Sequence, residues 1–404
     1  MRKCIYIIIC VLFASCNLIQ RGGEPFKVVD GSNVERVDSV LTAHTDTIVV
    51  DEIYDNVKVS TLVDSVYCVP LETTDKSLLA YYTRLCFHKN RIYLMDDVVA
   101  NAVFIFDMQG RFIKRIGDKG GAPNEFAALR GMSVDRSNDY LVLYDNRKRK
   151  MVYFTLDGEY IKNVSVPFRF CGHYVVLPSG RIVAATGKCD YNTHLGDLDE
   201  YRLQYTDSLG EVVKSAFRWT DNRNLAISYE AMTDAAESVL YYPPYTNTLY
   251  QVTDTTVTAK YFVTYKNYEA ASDEEVLKLS NTDELREYEE RKMTVSATAI
   301  AESTTHLYFY NERKDKSYTL YDRSSKKCVS FRSLLFNQDY IFLAAPMYSY
   351  GEYLVTVATP GQLMAMRKHL QKEKIPISEH LRPVYDKIDE EDNPILVFLK
   401  MKKL

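Results

Sequence analysis

Two successive stretches of this chain repeat one pattern. Residues 86–117 read CFHKNRIYLMDDVVANAVFIFDMQGRFIKRIG, and residues 131–166 read GMSVDRSNDYLVLYDNRKRKMVYFTLDGEYIKNVSV. Each holds short alternating apolar runs, then a tight turn (MQGR at 108–111, LDGE at 156–159), then one more strand-like run. That makes four antiparallel strands per copy. Sheets recurring at roughly 50 residues point to a β-propeller, in which each sheet buries its faces against its neighbours.

Further units follow. Residues 171–217 contain an interruption, DYNTHLGDLDEY, and a turn DSLGE at 207–211 that matches the first two turns. Residues 225–263 and 296–334 give two more, with outer turns near 254–257 and 322–326. A sixth begins near Ile341 and lacks an outer hairpin. The alternating run at 57–73 has no sequence neighbour to pair with and reads as one or two strands. It is expected to complete the last blade, which removes the open edges of the sheet array. The expectation is an all-β, six-bladed propeller whose blades fill 57–359.

Two segments break the strand pattern. Residues 269–292 are charged and helix-forming, with Ser272–Glu275 and Asn281–Glu284 spaced as capping boxes. Residues 360–388 hold a second helical candidate, with Leu363, Met366, His369 and Leu370 on one face, and a shorter one near its end. Both are expected as short helical insertions.

The first residues are a targeting segment. Arg2 and Lys3 precede an apolar run over 5–13 that is too short to span a bilayer. Ala14-Ser15-Cys16 then has the form of a lipobox, so Cys16 is expected to be lipidated. An ordinary secretory signal that contains a cysteine is the alternative. Residues 1–15 are read as signal peptide, 16–50 as a flexible tether, and 51–404 as the propeller domain with a C-terminal helical segment and tail.

Of the eight cysteines, Cys4 and Cys10 fall in the signal and Cys16 takes the lipid, leaving Cys68, Cys86, Cys171, Cys189 and Cys328. An odd count gives no complete disulfide framework. Cys171 and Cys189 flank a hairpin at nearly equal distance. A cross-strand disulfide or two small buried thiols both fit that placement.

Chemistry is less legible. The sequence contains no H-E-x-x-H, G-x-S-x-G, P-loop or C-x-x-C. Its seven histidines show no ligand spacing, and no metal or cofactor is expected. Asp96, Asp97, Asp145 and Asn146 end strands at like places and are expected to cap turns, with cation ligation near the channel as the alternative. The glycine-rich loop over 117–131 is the best local candidate for ligand contact, through Lys119, Glu125 and Arg130. The alternative gives its Gly and Pro residues the task of crossing between blades, with Phe126 packed there. A formal net charge of −4 and scattered basic runs give no nucleic-acid footprint.

The second unit resembles an NHL-type repeat in its Met132–Asp135 start, its LVLYD run and its V-Y-F-x-x-x-G close. The segment IGDKGGAPNEF is similar to the glycine-rich linkers of that superfamily, with Ala122 and Asn124 where Gly is common. The closing EEDNPILVFLK resembles the tail of a group of Bacteroidota lipoproteins, six-bladed propellers of the NHL or TolB-like kind. The resemblance implies an envelope location and carries over no catalytic residue.

The expected function is a non-catalytic binding or protein-interaction module, anchored to a membrane through its lipid. An envelope protein or an oligosaccharide is its expected partner, and nucleic acid is not. The expected location is the outer membrane, facing the periplasm. The alternative is a carbohydrate-active lyase or hydrolase with its site at the channel mouth, which would show clustered titratable groups there.

Overall fold

The computed structural model describes residues 29–37, 45–169, 173–186, 192–218, 231–234, 239–243, 245–335, 345–377, 379 and 381–404. Among them, four strands precede the blades: β1 (Glu35–Val37), β2 (Asp46–Val50), β3 (Ile53–Lys58) and β4 (Val63–Pro70), with one helical turn, α1 (Val59–Leu62), between the last two. Blade one is β5 (Arg84–His88), β6 (Arg91–Asp96), β7 (Ala102–Asp107) and β8 (Phe112–Ile116). Blade two is β9 (Leu129–Asp135), β10 (Tyr140–Asp145), β11 (Lys150–Thr155) and β12 (Tyr160–Ser165). Blade three is β13 (Tyr174–Val176), β14 (Ile182–Ala185), β15 (Tyr201–Thr206) and β16 (Val212–Arg218). Blade four is β17 (Ala231–Asp234), β18 (Val239–Tyr242), β19 (Thr248–Val252) and β20 (Val257–Tyr265). Blade five is β21 (Met293–Glu302), β22 (His306–Arg313), β23 (Ser317–Asp322) and β24 (Lys327–Leu335). The sixth combines β25 (Tyr348–Tyr350), β26 (Tyr353–Ala358) and β27 (Ile395–Met401) with the early β4. The innermost strands β5, β9, β13, β17, β21 and β25 touch in that order, and β25 returns to β5. The ring is a closed six-bladed propeller.

Turn chemistry sets the blades' shape. The Asp96 carboxylate accepts from the amides of Val98 and Val99, and Asp145 from those of Arg147 and Lys148. Both carboxylates are fully buried and cap turns, as expected. Asp107 and Asp207 cap the outer turns in the same way, each receiving two amides. The hairpins at Gly110 and Gly210 are built alike, with the glycine at φ +82° and +85°. That conformation is open to Gly and strained for other residues.

The core lies between blades. Ile105 and Val103 of blade one pack with Leu141, Val152 and Phe154 of blade two around a fully buried Phe126. Burying each such side chain contributes about 1.5–3 kcal/mol. Phe126 on the 117–131 crossing is therefore a wedge between two blades.

The sixth blade corrects one expectation. Residues 395–401 are its third strand rather than a tail: β27 pairs antiparallel with β26 (Val355↔Phe398) and with β4 (Phe398↔Tyr67). The helices α4 (Pro360–Lys372) and α5 (Arg382–Lys387) are an excursion inside that blade. Thr359 and Gln362 form a capping box at the start of α4, and Leu363 and Leu370 bury its apolar face. The insertion near 269–292 is also helical, as α2 (Asp273–Val276) and α3 (Thr282–Arg291), with the Asn281 side chain capping the latter. No helix among the described residues is long and apolar enough to cross a membrane.

The tether expectation over 16–50 is corrected in part. Strands β1 and β2 lie inside it and pair in parallel with β16 and β20, while β3 pairs with β24. Ile48 and Val50, alternating with the exposed Val49, are buried against blade four, and this holds the segment.

Candidate functional site

The six innermost strands enclose an axial cavity of about 150 Å³. Its walls are mainly apolar: Leu85 and Phe87 from β5, Met132 from β9, Tyr174 from β13, Ile300 from β21, and Met347 just before β25. Thr83 and Met347, at the starting ends of two inner strands, are exposed, whereas Leu85, Cys86 and Phe87 farther along β5 are buried. The cavity therefore opens at the end where the inner strands begin.

Two arginines, a histidine and a carboxylate line it: Arg84, Arg136, His173 and Glu302. Arg84 opens β5 and is half-buried. Among the described residues its guanidinium has no hydrogen bond and no ion pair. His173 precedes β13, and its Nδ1 accepts from the Met232 amide at 3.4 Å. The positive charge of Arg84, together with burial, pushes the His173 imidazole well below its usual value. The ring is neutral at neutral pH, and with Nδ1 accepting, Nε2 carries the proton. Tyr348 contributes a phenol whose titration is pushed up by burial and by Tyr82. The Thr233 hydroxyl is buried and has no hydrogen-bond partner among the described residues.

Glu302 is committed elsewhere. Its carboxylate is 3% exposed and accepts from Lys260 Nζ at 2.9 Å and the Tyr261 hydroxyl at 2.6 Å. Arg323 Nε stands 3.6 Å away. These cations balance the charge that Glu302 brings to the wall.

Lys119 and Glu125 lie on the crossing between blades one and two and Arg130 at the start of β9, all outside this cavity. Lys119 is exposed and bridges to Phe126. Glu125 turns back on its own loop, accepting from the Ala122 amide at 2.8 Å. Arg130 pairs with Asp97 at 3.2 Å. Lys148 donates to the carbonyls of Gly120 and Glu125, and Lys150 to that of Pro123, which fastens the loop to blade two. Cys16, Cys171 and Cys189 lie outside the described residues. Among those described, no group of three His, Cys, Asp or Glu side chains is placed to hold a metal.

Sequence reasoning did not reach Arg84. It started the first repeat after Arg84, at residue 86, and nothing local marks a residue as channel-facing. The signal it could have used is a cation opening an innermost strand whose next three residues are apolar. The other paired histidines are structural: His88 bonds Asp139 at 2.9 Å, His306 bonds the Lys402 carbonyl at 3.0 Å, and His194 bonds the Pro167 carbonyl.

Fold and site together define a six-bladed β-propeller with a small axial cavity carrying a guanidinium in largely apolar walls. The chain belongs to the family described as a domain of unknown function, DUF4934, whose model matches residues 45–400. A solved structure from Bacteroides fragilis, described as a candidate exported protein, is similar at 19% identity and TM-score 0.71, covering 88% of this chain and 100% of that one. That likeness shows the shared fold. A DUF4221-family protein from Bacteroides vulgatus is similar at 14% identity and TM-score 0.48, covering 84% of this chain and 97% of that one. Among curated proteins, none matches the sequence.

Proposed function

We propose that this protein is an envelope lipoprotein that acts as a non-catalytic binding module, with the axial cavity as its ligand site. One observation carries the reading: the half-buried Arg84 guanidinium faces a cavity without a partner among the described residues, inside walls that are otherwise mostly apolar. Such a site holds a ligand by charge at one end and contact along its length. Turnover would call for a titratable pair. The cavity offers a neutral His173, and Glu302 is already engaged by Lys260 and Tyr261. This favours binding over lyase or hydrolase chemistry.

The volume of about 150 Å³ suits one small molecule rather than an oligosaccharide. An envelope protein partner fits the outer loops better than the channel. The signal segment and the Cys16 lipobox support a lipid anchor, and the similar Bacteroides fragilis protein is described as a candidate exported protein. An outer-membrane position facing the periplasm, and kinship with NHL or TolB-like propellers, belong to the same proposal.

The test fills the mouth. Ser349 lines the cavity and is half-buried, so Ser349→Trp narrows it without disturbing the packed interior. The full chain and the variant would be screened by native mass spectrometry for small molecules retained from the envelope. Ligand on the wild type and none on a folded Ser349→Trp is expected. A folded variant that retains everything the wild type retains would remove the cavity as the site.

A further inference from the structure

We infer that the axial cavity binds a small organic monocarboxylate, its carboxylate against the Arg84 guanidinium and an apolar body of about one aromatic ring along the channel. This rests on the reading of the cavity as a ligand site and names the ligand class.

The charge argument starts from the other arginines. Arg130 and Arg332 are exposed and Arg91 is half-buried like Arg84, and all three are paired with carboxylates. Arg84 is set in a cavity and has none among the described residues. Removing a guanidinium from water without a counter-charge is expensive, so its open face favours an anion. The planar fork of arginine matches a carboxylate through two parallel hydrogen bonds. A carboxylate has further lone pairs to fill. The proton on His173 Nε2 and the orphaned Thr233 hydroxyl are donors lining the same cavity.

The number of charges follows. His173 is held neutral and adds no second cation at the mouth. Arg84 pairs with Met95 and Gly131 with Tyr144, so Arg84 and Gly131 stand at equivalent positions of their blades. Arg136 comes five residues after Gly131, about 16 Å along an extended strand. The mouth thus presents one cation, which suits a monoanion.

Size and wall chemistry fix the rest. A cavity of about 150 Å³ is comparable to those that enclose a benzene molecule. Leu85, Met132, Ile300 and Tyr174 offer hydrocarbon and ring surface to such a body. A sugar in this space would leave most of its hydroxyls without partners.

The experiment uses the full chain and three probes: phenylacetate, its neutral isostere phenylacetamide, and inorganic phosphate, titrated calorimetrically. Saturable binding of phenylacetate at about 1 mM or tighter is expected, with the amide at least tenfold weaker and phosphate not competing. Arg84→Met, which keeps the aliphatic stem, is expected to lose at least tenfold, and Arg84→Lys to fall between. If Arg84→Met does not fold, the comparison of acid with amide on the wild type decides. Equal binding of acid and amide, or binding unchanged in a folded Arg84→Met, overturns the carboxylate while leaving the cavity as a site. Phosphate displacing phenylacetate overturns the organic acid in favour of a phosphate ligand. No binding of any probe overturns the ligand class, whereas loss of the site itself is read from Ser349→Trp.

Discussion

A Cβ on Gly210 would lie 2.0 Å from the carbonyl oxygen of Ser165, the last residue of the outermost strand of the preceding blade. Gly110 stands in the same relation to the carbonyl of Pro70, again at 2.0 Å. Gly158 meets Ile116, which ends the outermost strand of blade one, at 2.6 Å. The turn glycine of each of these three units thus does two things at once. It supplies a left-handed backbone, and it lets one blade's outer turn touch the edge of the blade before it. The repeated motif encodes the spacing between sheets as well as the hairpin within one.

Replacing Gly210 by Ala should therefore destabilise the fold by roughly 2–5 kcal/mol, from backbone strain plus the clash. Gly121, whose Cβ would meet nothing within 4 Å, is the control, and Gly121→Ala should stay within about 0.5 kcal/mol. Urea unfolding of both variants checks the contrast. Equal midpoints would remove the spacing role.

Asp322 ties an outer turn to the closing strand's end. Its carboxylate accepts from the hydroxyl and amide of Ser324, from the Ser325 amide and, at 3.0 Å, from the Leu404 amide. Burial acts to raise its titration, but these hydrogen bonds outweigh it and hold the group well below the usual carboxylate range. Since the folded value is the lower, the stabilisation is complete above the unfolded value of about 3.9 and is lost as pH falls through and below it. Asp322→Asn should lower stability at pH 7 by about 1–3 kcal/mol and flatten the acid limb of a stability-versus-pH curve. An unchanged acid limb would count against this assignment.

Phe398 is the aromatic centre of ring closure. It is fully buried, stacks on Tyr67 of β4 at 4.4 Å, and meets Phe87 of blade one at 5.6 Å. Phe398→Ala should cost about 3–5 kcal/mol. It should also raise amide exchange first in β4, whose pairing within the sixth blade is to β27. Uniform loss of protection around the ring would instead indicate global unfolding alone.

Glu302 should behave as a structural carboxylate. Glu302→Gln leaves Lys260, with its side chain 18% exposed, beside a neutral amide. Breaking a buried pair in this way should destabilise by about 3 kcal/mol or more. Binding of a cavity ligand by the surviving folded fraction should be little changed. Complete loss of binding with stability intact would make Glu302 part of the site.

Two thiols are predicted to be inert. Burial pushes Cys68 up to about 12, and Cys328, by burial and the nearby Asp51, up to about 11. At pH 8 both should resist iodoacetamide in the native protein and react once it is unfolded. Rapid native-state labelling of either would contradict the packing described here.

How far the sequence could be read follows from locality. The outer turns at Gly110, Gly158 and Gly210 and the caps at Asp96 and Asp145 are decided within a few residues, so spacing revealed them. Phe126 and the helical insertions were legible for the same reason. Strand β27 was not, because ILVFLK is cut off from β26 by two helices and its other partner lies at Val63–Pro70, more than three hundred residues earlier. Strand β2 was obscured by its polar surroundings, which show no period until Ile48 and Val50 meet blade four. Arg84 and His173 come together only because a ring brings the starts of β5 and β13 to one axis. No window of sequence contains that convergence.

The early strands have one more consequence. β1, β2, β3 and β4 pair with β16, β20, β24 and β27, all of them made much later. During synthesis β1 and β2 have nothing to settle against until the middle of the chain emerges, and β3 and β4 wait for its later strands. Such non-local pairing slows folding and keeps the nascent chain open. The last of these latches, β4 on β27, cannot fasten until nearly the whole chain has been made.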